Sequence, residues 1–284
     1  MFAPMYSHRS GGELYLYLIV DQLIKNGEEC YVLHWRINNS RLELIYESTE
    51  GFAPNLEHES LPKDLDISKA IIICPDIIYN YSPFKNHKVA LIFGHKDGFV
   101  WKQKVDRSNN PFIIAHSRLY ESDGFTLFHP LINRTLYNTQ NASKLNERHM
   151  KLIYPKKDEI FLENTDFSNC FKITRQYPDN KFNLALLLKH SQLIYMQDCF
   201  SALLNEALLC GCIPVVTHYD HGWSLEELQY FELPFVWNLQ KNSVTLQEVA
   251  DNVGLLEEKV IFYENSWVER VSEMARELKK YYQI

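Results

Sequence analysis

The sequence lacks any apolar run that approaches the roughly 20 residues a membrane-spanning helix needs. The amino-terminal stretch MFAPMYSHRSGG also lacks the apolar core of a signal peptide. The two absences argue against an integral membrane protein and against a secreted one. We therefore expect a soluble protein of the cytoplasm, with peripheral contact at the inner face of the membrane as an alternative.

The cysteines lack the paired Cys-x-x-Cys spacing, and no histidines accompany them at the spacing of a zinc site. Most of them lie inside apolar segments such as IIICPD and LLCGC. This pattern predicts small buried thiols in a reducing compartment rather than a disulfide framework or a metal site. The six residues are Cys30, Cys74, Cys170, Cys199, Cys210 and Cys212.

Positive charge is scarce, since 29 Lys and Arg face 36 Asp and Glu and the formal net charge is −7. A surface that binds nucleic acid is usually basic, so we expect no nucleic-acid partner. Hydrophobic residues make up 46% of the 284 residues and charged residues 23%. The chain can therefore bury a sizeable core, and its length suits two domains.

Strand-like and helix-like segments follow one another along the chain, which indicates an α/β protein. An opening helix, ELYLYLIVDQLIKNG, precedes strands such as KAIIICPDIIY, KVALIFG and PFIIAHS. Residues 138–149 are polar, lack apolar periodicity and predict a linker, after which strands and helices resume. We predict an amino-terminal Rossmann-like domain over residues 1–145, a second such domain over 146–264, and a carboxyl-terminal helix over 265–284.

The stretch DCFSALLNEALLCGCIPVV, which begins at Asp198, predicts a helix that ends at Gly211 and a short buried strand directly after it. Asp198, Ser201 and Ala202 lie at the helix entrance, where free backbone N–H groups suit a phosphate. Glu206 follows Asp198 by eight residues, about 80° beyond two full turns, so the two acids share no narrow stripe. The residues alone leave two interpretations equal: an N-cap with a structural ion pair, or ligands for a phosphate and a sugar diol.

This stretch resembles the donor-site signature of GT-B glycosyltransferases, in particular the large retaining family that includes sucrose and glycogen synthases and many bacterial sugar transferases. That family carries two acids eight positions apart, and here Glu206, Gly211 and Pro214 match the second acid and the Gly-x-Pro-Val-Val tail. The resemblance implies that Glu206 binds the ribose hydroxyls of a nucleotide sugar. It also implies that Asp198, which replaces the usual glutamate, faces the sugar ring or its phosphates.

Two further segments extend the resemblance. RSGGELYLYLIVDQLIKNG is similar to the amino-terminal loop and first helix of these enzymes, which implies that Gly11 and Gly12 let the backbone approach the donor diphosphate. MKLIYPKKDEI is similar to the strand before their diphosphate-binding loop, with Lys156 and Lys157 supplying charge and Pro155 where a glycine is usual. The residues alone also allow a plain turn at the glycines and a solvated turn at the lysines.

Histidines at strand ends are the catalytic candidates on the acceptor side. His95 follows the strand of KVALIFG, and His116 follows that of PFIIA. A histidine in such a place can act as a general base or bind a sugar hydroxyl, although a single one is more often structural. The loop HYDHGWS, residues 218–224, follows the strand CIPVV, and the resemblance implies donor contacts for it.

The resemblance implies a small GT-B enzyme, with two Rossmann-like domains that face a cleft and a carboxyl-terminal helix that crosses back to the first domain. Such an enzyme transfers a hexose-type sugar from a nucleotide-diphosphate donor to a saccharide or lipid-linked acceptor, with retention. It needs no metal and no further cofactor, and the sequence has no histidine cluster at metal-site spacing. Two alternatives stay open: a sugar-nucleotide epimerase of the same fold, and a non-catalytic subunit that binds a nucleotide sugar.

The final segment, SWVERVSEMARELKKYYQI, carries apolar residues at helical spacing and predicts an amphipathic helix. Docking on the first domain would bury that apolar stripe. A helix lying on a membrane surface is the alternative, since Arg276, Lys279 and Lys280 stand near aromatic residues. Glu269 and Glu273 dilute the positive charge, so the sequence favours docking within the chain.

Overall fold

A computed structural model describes residues 1–7, 10–38, 41–48, 50–100, 102–155, 167–196, 201–216, 225–234 and 245–284. The chain divides into two compact units, Met1–His129 together with Tyr263–Ile284, and Pro130–Phe262. Residues 130–145, which the sequence predicts to belong to the first domain, group with the second unit in this division. The predicted domain limits themselves stay predictions.

The first unit contains two sheets, whose strands are β1 (Phe2–Pro4), β2 (Leu33–Asn38), β3 (Arg41–Ile45), β4 (Ile71–Pro75), β5 (Lys88–Phe93), β6 (Phe112–Ala115) and β7 (Phe125–Thr126). In one sheet β1 pairs in parallel with β2, and β3 pairs antiparallel with β2. In the other sheet β4, β5, β6 and β7 are parallel neighbours in that order. Strand β1 lies beside β4.

Continuous apolar runs explain the parallel sheet, because a strand that is covered on both faces shows no polar alternation. Ile72, Ile73 and Cys74 of β4 are all buried, and so are residues 89–93 of β5. The predicted strand extension beyond Pro75 is wrong, since the next residues, Asp76–Tyr79, form a short helix, α2. Proline has no N–H for the sheet ladder and its fixed φ suits a helix start, so β4 ends there.

Helix α1 spans Gly11–Lys25, and its ends follow from local signals. Ser10 is the N-cap, and its Oγ accepts a hydrogen bond from the N–H of Glu13 at 3.3 Å. Gly27, with φ of +83°, follows the C-cap in the left-handed region that ends many helices. The predicted opening helix is confirmed.

The second unit contains a parallel sheet with the strand order β11-β10-β8-β9. Its strands are β8 (Met150–Tyr154), β9 (Cys170–Lys172), β10 (Ser191–Met196) and β11 (Ile213–Val216). Its helices are α3 (Lys181–His190), α4 (Ala202–Leu209), α5 (Leu225–Leu228) and α6 (Leu246–Asp251). The predicted helix that ends at Gly211, with a buried strand directly after it, is confirmed. The predicted strand LPFVWN lies largely outside the described residues.

A buried arginine holds together the amino ends of two of these strands. Arg148 is 5% exposed, and its Nε donates to the carbonyl of Ser143 at 2.7 Å. Its Nη1 donates to the carbonyl of Ser191 at 3.2 Å, and also to that of Gly211. Gly211 has φ of +73°, and a Cβ at this position would stand 2.9 Å from an Arg148 Nη2. The guanidinium thus satisfies carbonyls where α3 and α4 end, and the glycine leaves room for it.

The longest helix, α7 (Val253–Tyr282), begins in the second unit and ends in the first. Within the first unit, the amide of Asn26 donates to the hydroxyl of Ser272 at 2.9 Å, and the Lys279 ammonium pairs with Glu28 at 2.7 Å. The buried apolar residues of this part are Trp267, Val271, Met274, Ala275 and Leu278. No helix among the described residues combines the length and apolar character needed to cross a bilayer.

The architecture is therefore mixed α/β, as predicted, and both units contain parallel sheets of the Rossmann-like kind.

Candidate functional site

Several predicted site residues lie in segments that follow the parallel strands of the second unit. Lys156 and Lys157 come after β8, Asp198 comes after β10, and residues 218–224 come after β11. All of them are outside the described residues. Their roles stay predictions. Because the three strands are parallel, their carboxyl ends share one edge of the sheet, and ligands bind at this edge in open α/β sheets.

Helix α4 starts from this edge. Ser201 is its N-cap, with φ of −70° and ψ of 133°, and its Oγ accepts a hydrogen bond from the N–H of Leu203 at 3.3 Å. Ala202 is the first helical residue. The cap side chain satisfies one of the helix's free N–H groups, and the other donors of a helix's first turn are suited to an anionic ligand.

Glu206 lies on α4 and is only 7% exposed. Burial raises the pKa of its carboxyl from 4.5 to about 7, and the positive charge of Lys181 opposes the rise. Both the acid and the carboxylate are therefore accessible near neutral pH. A ligand that donates hydrogen bonds to the ionised form of this buried carboxyl would stabilise that form.

A second buried polar group stands beside Glu206. Tyr137 is 1% exposed, and its hydroxyl lies close enough to the Glu206 carboxyl to affect the pKa of both groups. Within the described part of the chain this hydroxyl has no hydrogen-bond partner. Burial, followed by the nearby negative charge, raises the pKa of Tyr137. Tyr137 could not be predicted from the sequence, because it precedes Glu206 by 69 positions and no local pattern connects the two.

In the first unit, the predicted glycine pair forms the first turn of α1. Gly11 and Gly12 are both exposed. A Cβ added at Gly12 would meet nothing within 4 Å, and its φ is not in the left-handed region. Neither packing nor backbone conformation within the described chain therefore requires glycine at position 12. The open space leaves the backbone N–H groups of this turn accessible to a ligand.

The two predicted histidines follow adjacent strands, as the parallel pairing of β5 and β6 requires. His95 is exposed, and His116 is half-buried with a pKa lowered by burial to about 4. The Nε2 of His116 lies 3.2 Å from the carbonyl of His129, so it carries the proton and Nδ1 keeps a lone pair. Both rings approach Tyr120, with centroids 6.4 Å and 6.3 Å away. The structure thus places the pair at one edge, and His116 is neutral at pH 7.

Asp76 is a functional candidate that the sequence analysis did not name. It directly follows β4, is 9% exposed, and accepts backbone hydrogen bonds from Ile77 and Gly94. Burial raises the pKa of its carboxyl to about 7, with a smaller contribution from the negative charge of Asp97. Strands β1 and β4 lie side by side, and the chain continues from β1 to β2 on one side and from β4 to β5 on the other. Such a reversal of direction between neighbouring strands is a topological switch point, and Asp76 follows one of the two strands that form it. An acid directly after the run IIICP was the available signal.

A charged network shapes the loop after β5. Arg107 donates to Asp97 at 3.1 Å and to Glu121 at 2.6 Å, and its guanidinium lies 4.9 Å from the centre of the Phe93 ring. Asp97 also accepts the N–H of Val105 at 2.9 Å. Both acids are thereby used in holding loops together. Asp76 and His116 therefore remain the titratable candidates at this edge.

The described residues contain no group of three or more histidines, cysteines and acids that could hold a metal ion. One Asp-x-Asp pair does occur, at Asp64 and Asp66, and such carboxylates can ligate a divalent cation. Both are exposed, and the Asp66 carboxylate accepts from the N–H and the hydroxyl of Ser68 at 2.9 Å and 3.1 Å. That arrangement is an ordinary turn.

Neither a model of a known protein family nor a curated protein matches this sequence. The assignment of roles therefore rests on the geometry above and on the resemblance of the Glu206 segment.

Proposed function

We propose that the protein is a GT-B glycosyltransferase, which transfers a sugar from a nucleotide-diphosphate donor to a saccharide or lipid-linked acceptor. In this proposal the second domain holds the donor, the first holds the acceptor, and the two Rossmann-like domains face a cleft. The reaction proceeds with retention and without a bound metal, as the resemblance implies.

The observation that carries the proposal is the burial of the Glu206 carboxyl. The carboxyl is buried on the helix that follows a parallel strand, at the position that the resemblance assigns to ribose binding. Its neighbour Tyr137 offers a hydroxyl without a hydrogen-bond partner among the described residues. A ribose supplies two vicinal hydroxyls, which can donate to the carboxylate and satisfy the phenol.

Three other features support the same function. The first turn of α4 supplies N–H groups at the strand edge, where the leaving diphosphate needs donors. The accessible first turn of α1, at Gly11 and Gly12, can supply more of them. Asp76 and His116 lie at the edge assigned to the acceptor, and both can exchange a proton or bind a hydroxyl.

The test is titration calorimetry of the purified protein with UDP, GDP, ADP and CMP. We expect one of them to bind, and Glu206→Gln to weaken it by about 1.5–3 kcal/mol, or roughly 10-fold to 150-fold. Glu226→Gln is the matched control, since Glu226 is an exposed acid in the same unit. Equal affinity of the Glu206 variant and the parent would make Glu206 structural, and a parent that binds none of the nucleotides would overturn the proposal.

Turnover separates the remaining alternatives. Incubation of the matching nucleotide sugar with candidate acceptors should release the nucleoside diphosphate and form a glycoside. A changed sugar that stays attached to the nucleotide would identify an epimerase instead. Tight nucleotide-sugar binding without any conversion would identify a non-catalytic subunit.

A further inference from the structure

A large apolar cavity lies in the first unit, away from the edge described above. It is lined by the first residues of three strands, Phe2 of β1, Leu33 of β2 and Ile71 of β4. Asp76 and His116, in contrast, follow the last residues of their strands. The cavity is therefore at the opposite ends of the strands from the proposed acceptor edge, and it does not depend on the proposed function.

Apolar side chains from separate elements enclose the cavity. Its lining includes Leu23 of α1, Leu278 of α7, and the loop residues Leu61, Leu65 and Ile67. Its volume is about 300 Å³. Protein interiors rarely leave voids larger than a water molecule, whereas pockets for small ligands begin at about this size.

The mouth of the cavity carries charges of both signs. Glu28, Glu29, Lys69 and Lys279 line it. Lys279 is paired with Glu28 at 2.7 Å, and Glu29 accepts a hydrogen bond from the Tyr31 hydroxyl at 3.0 Å. The lining also includes the Met1 ammonium, which donates to the carbonyl of Tyr31 at 2.8 Å, and the carboxyl-terminal residue Ile284. Cationic and anionic groups are therefore balanced, and the mouth favours neither an anionic nor a cationic head group. Selection must come from the apolar interior.

From this arrangement we infer that the cavity binds the apolar chain of a small single-chain amphiphile, with the head group at the charged mouth. A protein helix is too large to enter, because one turn of a cylinder about 10 Å wide occupies roughly 400 Å³. A linear chain fits a space bounded by two helices, a loop and strand ends. Burial of its methylene groups supplies the affinity.

The test uses dodecanoate, dodecanol and dodecyltrimethylammonium, below their micelle concentrations, as competitors of a dansyl-labelled fatty acid. We expect saturable binding of all three within a few-fold of one another. Ala275→Phe and Ala70→Phe, which fill the cavity from two separate segments of its lining, should each weaken binding about tenfold or more because the chain loses its space. Val268→Phe is the matched control on the same helix, since Val268 is 53% exposed and does not line the cavity.

Cys30 supplies a second readout that reports the location directly, because it also lines the cavity. Dodecanoate should slow alkylation of the Cys30 peptide by N-ethylmaleimide, followed by mass spectrometry, and should leave the Cys170 peptide unaffected. Circular dichroism establishes that each variant is folded, and the alkylation result on the parent stands even if both filled variants fail to fold. Absence of saturable binding, binding that neither filled variant weakens, or an unprotected Cys30 would overturn the inference.

Discussion

Replacement of Glu206 by glutamine tests the burial of this carboxyl without any ligand. The side chains have nearly the same shape, so the change removes the ionisation and keeps the packing. In the parent, the folded state holds a proton that the unfolded state releases, because the pKa rises from 4.5 to about 7 on folding. The parent should therefore lose stability as pH rises from 4.5 to about 7, and the variant should not lose this contribution.

The size of the effect follows from the two pKa values. A rise of the Glu206 pKa from 4.5 to about 7 on folding destabilises the folded parent by about 3 kcal/mol at high pH. This cost is absent below pH 4.5 and complete above about pH 8. All other titrating groups are shared by the two proteins, so they cancel in the difference. For a unit of this size, about 3 kcal/mol corresponds to a shift of roughly 6–12 °C in melting temperature.

The assay is thermal unfolding of the parent, Glu206→Gln and the exposed control Glu226→Gln, each at pH 5 and pH 8 and without nucleotide. The melting temperature of the Glu206 variant should exceed that of the parent at pH 8 by several degrees more than at pH 5. The control should follow the parent at both values.

Two results would refute the reasoning. An equal difference between variant and parent at both pH values would mean that Glu206 does not ionise in a buried site. A variant that is less stable than the parent at pH 8 would mean that hydrogen bonds and nearby charges stabilise the Glu206 carboxylate more than burial destabilises it.

Three further predictions concern the scaffold and the chemistry. Arg148→Met should destabilise the second unit by about 2–4 kcal/mol, because several buried carbonyls lose a charged donor, whereas the exposed Arg175→Met should leave the urea midpoint unchanged. Deletion of residues 266–284 should lower the melting temperature, since each buried apolar side chain of this segment contributes roughly 1.5–3 kcal/mol to stability. A truncated protein that keeps its stability but no longer sediments with anionic vesicles would favour the membrane alternative instead. Sugar transfer should survive EDTA, and loss of turnover that Mg²⁺ or Mn²⁺ restores would count against a metal-independent GT-B enzyme.

Local signals in the sequence predicted much of the fold. The continuous apolar runs of β4, β5 and β6 indicated strands covered on both faces, and the structure buries most of β4 and β5 and the second half of β6. Gly27 marked the end of α1 and Gly211 the end of α4, because capping depends on a few neighbouring residues. The start of α1 lies earlier than predicted, at Gly11 after the N-cap Ser10. Strand β4 ended earlier than predicted, since the apolar pattern continues through Pro75 into a helix that is also buried.

Site residues were predictable only where a single continuous stretch of sequence contains the pattern that identifies them. Glu206 could be named because the pattern that surrounds it is continuous in sequence. Its burial, its raised pKa and its neighbour Tyr137 could not, because each depends on chain that returns from a distant position. Asp76 was missed for the same reason, since its place at the switch point depends on which strand lies beside β4.

The sequence by itself determined the α/β class, the individual strands and helices, and the chemical types available at their ends. These follow from periodicity and capping, which act over a few residues. The tertiary structure decided which ends meet, which acids are buried, and where space is left open. Arg148 shows the difference: its sequence context suggested an ordinary polar segment, yet it is buried against carbonyls of Ser191 and Gly211. Burial and electrostatics are properties of neighbours in space, and only the folded chain supplies those neighbours.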